Sequence, residues 1–268
     1  MSGYLRLDTL DLLLASVLVL ANGGLSLALR LGLERQLLVA TIRMTVQLAL
    51  MGLVLRVLLT TVSAWLTAAA ALAMVLFAGR EVVARQGRRF RGPWSYGLGV
   101  SSMALAATLV TLFALTTQIQ PEPWYHPRYA LPLLGMVLGN TMTGIALGLD
   151  TLTATVSREQ RAVEARLCLG HPRMNALRGP ARGALRTALM PTINAMAATG
   201  LVALPGMMTG QILAGVDPVE ATRYQLLVMF LIAGGTGFGA TAAVLGGLWR
   251  LSDERHRLRL DRLGPLRG

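Results

Sequence analysis

Long apolar runs alternate with short polar stretches along the chain, and the runs exceed what the core of a soluble domain requires. Seven of them predict membrane-spanning helices, at about residues 12–29, 37–59, 64–78, 98–117, 129–149, from 184 to at least 204, and 224–248. Each holds roughly 15 to 25 residues, the length that crosses a ~30 Å hydrocarbon layer. Helix is expected throughout, because lipid offers no partners for backbone N–H and C=O groups. The first run follows Asp8 and Asp11, with Arg6 the lone basic residue before it, and no small-residue cleavage site lies close behind. It reads as a retained helix and not as a signal peptide. The expected architecture is all-α, a polytopic transmembrane bundle of about seven spans forming one domain over residues 1–268.

Composition narrows the chemistry. The chain is 54% hydrophobic and 14% charged, with mean hydropathy +0.56, which argues against disorder and against a soluble enzyme. All 25 basic residues are arginine and lysine is absent. A P-loop needs its lysine to reach nucleotide phosphates. No cofactor is therefore expected on this chain, and ATP with Mg would sit on a partner subunit. A single cysteine, Cys168, excludes an internal disulfide and a cysteine cluster for a metal.

Arginine placement orients the spans. The segments after spans one, three and five, together with the tail, hold twenty of the 25 arginines. The opposite side has Arg6, Arg56, Arg128 and Arg223. The positive-inside rule then predicts a multi-pass protein of the cell inner (plasma) membrane, N-terminus outside and C-terminus cytoplasmic. These loops account for the net charge of +12 without nucleic acid, for which no aromatic-basic module is present. Their partners are expected to be anionic lipid head groups or an acidic protein surface.

The longest polar stretch, residues 151–183, is expected to be a cytoplasmic coupling segment. Ser157-Arg158-Glu159-Gln160 fits a capping box, and the helix after it places Val163 and Leu167 on one side. It could lie on the membrane surface with its arginines snorkelling, or dock a cytoplasmic partner. Glu164-Ala165-Arg166-Leu167, with Gly170 six positions after the glutamate, resembles the EAA-type coupling segment of ABC transporter permeases, which seats in a groove of the ATPase subunit. Arg166 departs from the alanine of that pattern, and the Leu-Pro-like pair lies farther on, at Met190-Pro191.

A broader resemblance covers nearly the whole chain. Leu134-Gly135-Met136 leads into Gly139-Asn140-Thr141-Met142-Thr143-Gly144, and Pro191-Thr192-Ile193-Asn194-Ala195-Met196 follows. Next comes Leu204-Pro205-Gly206-Met207-Met208-Thr209-Gly210-Gln211-Ile212-Leu213-Ala214-Gly215, then Tyr224-Gln225. Ile42-Arg43 with Gln47-Leu48, and Gly79-Arg80-Glu81, add to the pattern in the N-terminal half. Together they resemble the FetB (YbbM) family of membrane permeases. The resemblance implies the permease subunit of an ABC exporter, a homodimer driven by separate cytoplasmic ATPase subunits, with iron export as the bacterial role. Similar plant proteins act in aluminium tolerance, with a nucleotide sugar as proposed substrate. A non-metal cargo is thus the alternative, as is a passive channel or scaffold.

Candidate translocation residues are polar, soft or conformationally unusual positions at membrane depth. Arg43 with Gln47 falls inside the second span, where a guanidinium costs ~2.5–3.5 kcal/mol, so it is expected either to face the bundle interior, with Asn140, Asn194 or backbone carbonyls as acceptors, or to snorkel to the cytoplasmic end about six residues away. Met142, Met196, Met207 and Met208 stand beside polar residues, including Thr209 and Gln211. Thioethers suit soft ions but also serve as filler, so any metal ligand set stays unknown. His126, His171 and His256 lie in loops on both sides and cannot form one site. Pro205-Gly206 predicts a break or a kink in the sixth span. Met142-Thr143-Gly144 and Met208-Thr209-Gly210 form a weak internal echo. Gly135 with Gly139, Gly144 with Gly148, and Gly235 with Gly239 predict close helix approach.

Overall fold

A computed structural model describes residues 8–266; Arg6 and Arg267 lie outside the described residues. Ten helices follow in order: α1 (Thr9–Ala28), α2 (Glu34–Thr61), α3 (Ala64–Ala84), α4 (Trp94–Phe113), α5 (Pro127–Arg158), α6 (Gln160–Cys168), α7 (Arg173–Ala176), α8 (Arg178–Ala198), α9 (Gly206–Leu213) and α10 (Pro218–Leu251). Six of them, α1 to α5 and α10, are long and apolar enough to cross a membrane, α4 together with the π-helical turn Ala114–Ile119 that continues it. The chain is a polytopic helical membrane protein.

The helix starts follow from local chemistry. Pro127 opens α5 behind His126, whose Nδ1 accepts the Arg128 N–H at 3.2 Å. Pro218 opens α10 behind Asp217, whose Oδ1 accepts from the backbone N–H groups of Val219 and Glu220. Proline at the first helical position sacrifices no helical bond, and the capping side chain satisfies donors that would otherwise be orphaned.

Helices α3, α4, α5, α8 and α10 pack into the body, with α5 at its centre. Glycines allow the approach. A Cβ on Gly144 would stand 2.6 Å from Thr236 Cγ2, and one on Gly235 the same distance from Val137 Cγ1. Gly144 and Gly148 of α5 face Ala188 and Ala184 of α8 in reverse order, so α8 runs antiparallel to α5. Gly144 and Gly148 also meet Thr236 and Val244 in order, so α10 runs parallel to it. The expected role of Gly144, Gly148, Gly235 and Gly239 in helix packing is borne out within this chain, whereas Gly139 has open space beside it.

Helices α1 and α2 form a hairpin that stands off the body. Its turn is tied by the Ser26 hydroxyl, which donates to Glu34 Oε2 and accepts the Leu33 N–H, both at 3.1 Å. Leu58 is the single buried side chain of α2.

Four details add to, correct or decide the expectations. The bundle carries a small ribbon, β1 (Arg88–Phe90) antiparallel to β2 (Leu263–Leu266), which joins the α3–α4 loop to the tail. The fifth span does not stop at 149: α5 continues for nine residues to Arg158. The proposed capping box does not form. Ser157 lies inside α5, its hydroxyl bonded to the Thr153 carbonyl at 2.6 Å, and α6 starts after Glu159 with no side-chain cap. The sixth span is broken, not kinked. α8 ends at Ala198, short of 204, and a loop intervenes before Pro205 and α9. Gly200 with φ +92° turns the chain there, where a residue with a Cβ would be strained.

Candidate functional site

Two regions gather the candidate residues. The first is a polar seam where α2, α3 and α5 meet. The guanidinium of Arg43 pairs with Glu81 Oε1, side chains 49% and 24% exposed. One turn on, Arg85 Nη1 donates to Thr143 Oγ1 at 3.4 Å. Near the α3 terminus Asp150 Oδ1 accepts the Gly87 N–H at 2.8 Å. A lone guanidinium at membrane depth is costly, and a carboxylate at contact distance offsets much of that cost.

The acceptor of Arg43 is therefore Glu81, not Asn140, Asn194 or a carbonyl. Hydropathy alone ends the third span at 78 and puts Glu81 in a loop, whereas α3 runs on to Ala84. The missed signal is Val82-Val83-Ala84, an apolar continuation that carries α3 through the charged pair Arg80-Glu81.

Most of the remaining translocation candidates are not brought into one cluster. Asn140 is exposed and spends its Nδ2 on its own helix, donating to the Met136 carbonyl at 2.9 Å. Gln47, Asn194 and Met196 are exposed on α2 and on the last turns of α8. Met142 and Met207 pack against the buried core, and Met208 is half-buried in α9. Thr209 donates to the Pro205 carbonyl at 3.2 Å. Gln211 is different: its Oε1 is buried with no hydrogen-bond partner. The hydroxyls of Thr141 and Thr236, on the α5–α10 seam, share that condition, which costs ~1–3 kcal/mol per group. Nothing in the sequence distinguished these two threonines from packing residues. Among the described residues, no group of three or more His, Cys, Asp or Glu side chains is placed to hold a metal ion.

The second region is the elbow after α5. A single residue, Glu159, separates α5 from α6, and Val163 is the side chain that α6 buries. Glu164, Ala165, Arg166, Cys168, Leu169 and Gly170 are exposed, and Leu167 is half-buried. Gly170 explains the spacing read in the sequence. Its φ is +84°, its N–H donates to the Leu167 carbonyl at 3.0 Å, and the His171 N–H donates to the Arg166 carbonyl at 3.1 Å. That pair of bonds is a Schellman stop, so glycine six positions after Glu164 is where α6 ends. Arg166, the departure from the alanine pattern, donates from Nη1 to the Ala176 carbonyl at 3.2 Å and braces α6 on α7. Leu169, 80% exposed, projects from the elbow.

The arginine-rich segments converge on the same end of the bundle. Arg88 Nη1 donates to Ser157 Oγ at 2.7 Å and its Nε to the Gly264 carbonyl at 3.0 Å. The Arg173 N–H donates to His256 Nδ1 at 3.1 Å. The loops after α3 and α5 and the tail thus form one basic face, as the arginine count anticipates.

Comparison with known proteins places this architecture. The profile of the Uncharacterised protein family (UPF0014) matches residues 9–251. A UPF0014 membrane protein of Synechocystis is 37% identical over 227 residues, 85% of this chain and 86% of that one. The "Probable iron export permease protein FetB" of Escherichia coli is 32% identical over 256 residues, 94% of this chain and 95% of its own. Protein ALUMINUM SENSITIVE 3 of Arabidopsis thaliana is 32% identical over 220 residues, covering 82% and 78%. No solved structure matches the chain.

Proposed function

The chain belongs to the UPF0014 family, and from that premise we propose that it is the permease subunit of an ATP-driven ABC exporter, working as a homodimer in the cell inner membrane with separate cytoplasmic ATPase subunits. The observation that carries this reading is the elbow. Glu164, Ala165 and Leu169 are exposed on a short helix held by Val163 and Arg166 and stopped by Gly170. A short, braced, exposed helix suits a groove on a motor subunit. The arginines around it give it charge complementarity for an acidic rim.

The hairpin supports the homodimer. Helix α2 exposes Arg43, Thr45 and Gln47, groups poorly suited to lipid, and a second copy would cover them. Metal, iron above all, is the proposed cargo, by likeness to the Escherichia coli relative. The seam favours a second reading within the same class. Arg85 meets a hydroxyl and, among the described residues, no ion-pair partner, so it offers a donor to the anionic part of a cargo such as a metal chelate or a nucleotide sugar.

The test is reconstitution with the cognate ATPase. Reversing charge at Glu164 and Arg166 together is expected to lower permease-stimulated ATP hydrolysis and co-purification by roughly tenfold or more, with the purified permease still folded. Normal coupling in that variant would overturn the reading. Uptake into inverted vesicles, compared between iron salts, iron chelates and nucleotide sugars, decides the cargo.

A further inference from the structure

The lipid-facing side of α4 and α10 carries a feature that transport does not require. Between these helices runs an apolar groove of about 710 Å³, floored by Ala233, Gly234 and Gly237 and flanked by Leu105, Leu109 and Phe238. It ends at Leu245, which also lines a second hollow of about 490 Å³ shared by Trp94, Trp249, Arg250 and Arg262. The two hollows adjoin at Leu245. From Ala233 to Leu245 the helix rises ~18 Å at 1.5 Å per residue, close to one leaflet of a ~30 Å hydrocarbon layer.

The chemistry changes abruptly at that end. Trp94 opens α4, Trp249 lies in the last turn of α10, and both are exposed. Tryptophan favours the membrane–water boundary. The Arg250 guanidinium lies 4.7 Å over the Trp94 ring, and that of Arg173 5.5 Å over Trp249. Arg262 reaches back from the tail, its Nη1 donating to the Arg250 and Ser252 carbonyls at 3.0 and 3.3 Å. Of the tail carboxylates, Asp261 is engaged by Arg259 at 2.9 Å and Asp253 by Arg257 at 3.0 Å, while Glu254 lines a neighbouring hollow with Arg262. Neither Arg250 nor Arg262 makes an ion pair among the described residues, and Arg250 Nε is buried with no partner. Two cations without a direct ion-pair partner among the described residues, flanked by interfacial tryptophans, cap an acyl-length apolar groove.

We propose that this groove binds an anionic phospholipid, with one acyl chain along Ala233–Leu245 and the headgroup phosphate on Arg250 and Arg262. Charge complementarity selects the headgroup, since basic pockets between membrane helices attract anionic lipids. The open floor selects the chain: a Cβ on Gly234 or Gly237 would meet nothing within 4 Å. Glycine there leaves room beside the backbone that no neighbouring helix fills.

The experiment is native mass spectrometry of the full chain released from detergent, with phosphatidylglycerol and phosphatidylcholine of matched acyl chains as probes. Selective retention of phosphatidylglycerol is expected. Arg250→Gln should reduce that preference roughly fivefold, the share of one interfacial arginine. Gly237→Leu fills the groove and should abolish retention of both lipids, while the melting temperature of the lipid-free protein stays at the wild-type value. Equal retention of the two lipids by the wild type would overturn the proposal, as would undiminished phosphatidylglycerol binding by Gly237→Leu. Displacement of the lipid by millimolar inorganic phosphate would overturn it in favour of a free-anion site. A change in subunit count for Gly237→Leu, with lipid binding intact, would assign the groove to a second copy of the chain.

Discussion

Removing the carboxylate of Glu81 tests whether the Arg43–Glu81 pair lies in lipid-like or water-like surroundings. Arg43 sits nine residues into α2, ~14 Å from the helix start at 1.5 Å per residue, about half the depth of a ~30 Å layer. Its side chain is 49% exposed. Exposure to water would screen the pair, and exposed ion pairs contribute ~0–1 kcal/mol. Exposure to hydrocarbon would leave the guanidinium of Glu81→Gln facing a cost of ~2.5–3.5 kcal/mol. For a chain of this size 1 kcal/mol moves the melting temperature by roughly 2–4 °C. The hydrocarbon case thus predicts a loss of about 5–14 °C for Glu81→Gln in lipid nanodiscs, and the screened case less than about 4 °C. Arg43→Met in the same background should recover most of the loss, because it removes the uncompensated charge. The assay is thermal unfolding followed by the fluorescence of the four tryptophans, run as a double-mutant cycle. Additivity of the two substitutions within ~0.5 kcal/mol would refute the contact as an energetic link between α2 and α3.

Gly170→Ala forces a β-carbon into the left-handed region at φ +84°, at a cost of ~1–2 kcal/mol if the strain is borne by the whole fold and less if the end of α6 frays; permease-stimulated ATPase activity is expected to fall while the melting temperature drops by no more than about 8 °C, and unchanged stimulation would count against the elbow. Gly144→Val drives side-chain carbon into Thr236 and the Ala188 carbonyl and should destabilise by ~1–3 kcal/mol, whereas Gly139→Val, facing open space, should keep the wild-type melting temperature. The Arg259 guanidinium, donating to Asp261, holds that carboxyl down at about 2. Its stabilisation of the tail is therefore complete above the ordinary value of 3.8 and lost as pH falls through about 2, so hydrogen exchange of tail amides should accelerate across that window in the wild type and not in Asp261→Asn. Cys168, the one thiol and exposed, should react with an impermeant maleimide from the same side as a cysteine placed at Glu254 in a Cys168→Ser background; labelling from opposite sides would refute the shared basic face.

What the sequence made legible was governed by how local the cause was. Apolar runs act locally and give the helices; the small-residue spacings at 144, 148, 235 and 239 mark faces that pack, although their partners lie far along the chain. Helix ends were read less well wherever the chain leaves the hydrocarbon without leaving the helix. Arg80 and Glu81 look like a loop by hydropathy, yet α3 runs through them. Ser157 looks like a cap, yet α5 continues past it, because its hydroxyl finds Thr153 and its lone pairs find Arg88 across the fold. The partner of Arg43 lies 38 residues away and leaves no periodic trace. The ribbon between 88–90 and 263–266 is still less local, since it joins two arginine-bearing segments whose composition signals only a polar surface.

The basic face has a mechanical consequence for the proposed permease. Helix α6 leaves α5 across Glu159 alone, and α7 enters α8 at once through Leu177. A force applied to the elbow is therefore shared between α5 and α8, which pack antiparallel through Gly144, Gly148, Ala184 and Ala188. These contacts are backbone-close and have little room to compress, so the two helices would tilt together and not slide. Helix α10 lies parallel to α5 against the same glycines, but its end is tied to the α3–α4 loop through the Arg91 N–H on the Arg262 carbonyl at 2.8 Å. Motion of α5 with α8 against α10 would be taken up at the seam that holds the unpartnered hydroxyls of Thr141 and Thr236. Two buried hydroxyls without partners make that seam cheaper to open than an all-apolar contact, since opening gives each a chance to bond. The same physics that makes them poor glue makes them a reasonable place for the bundle to part.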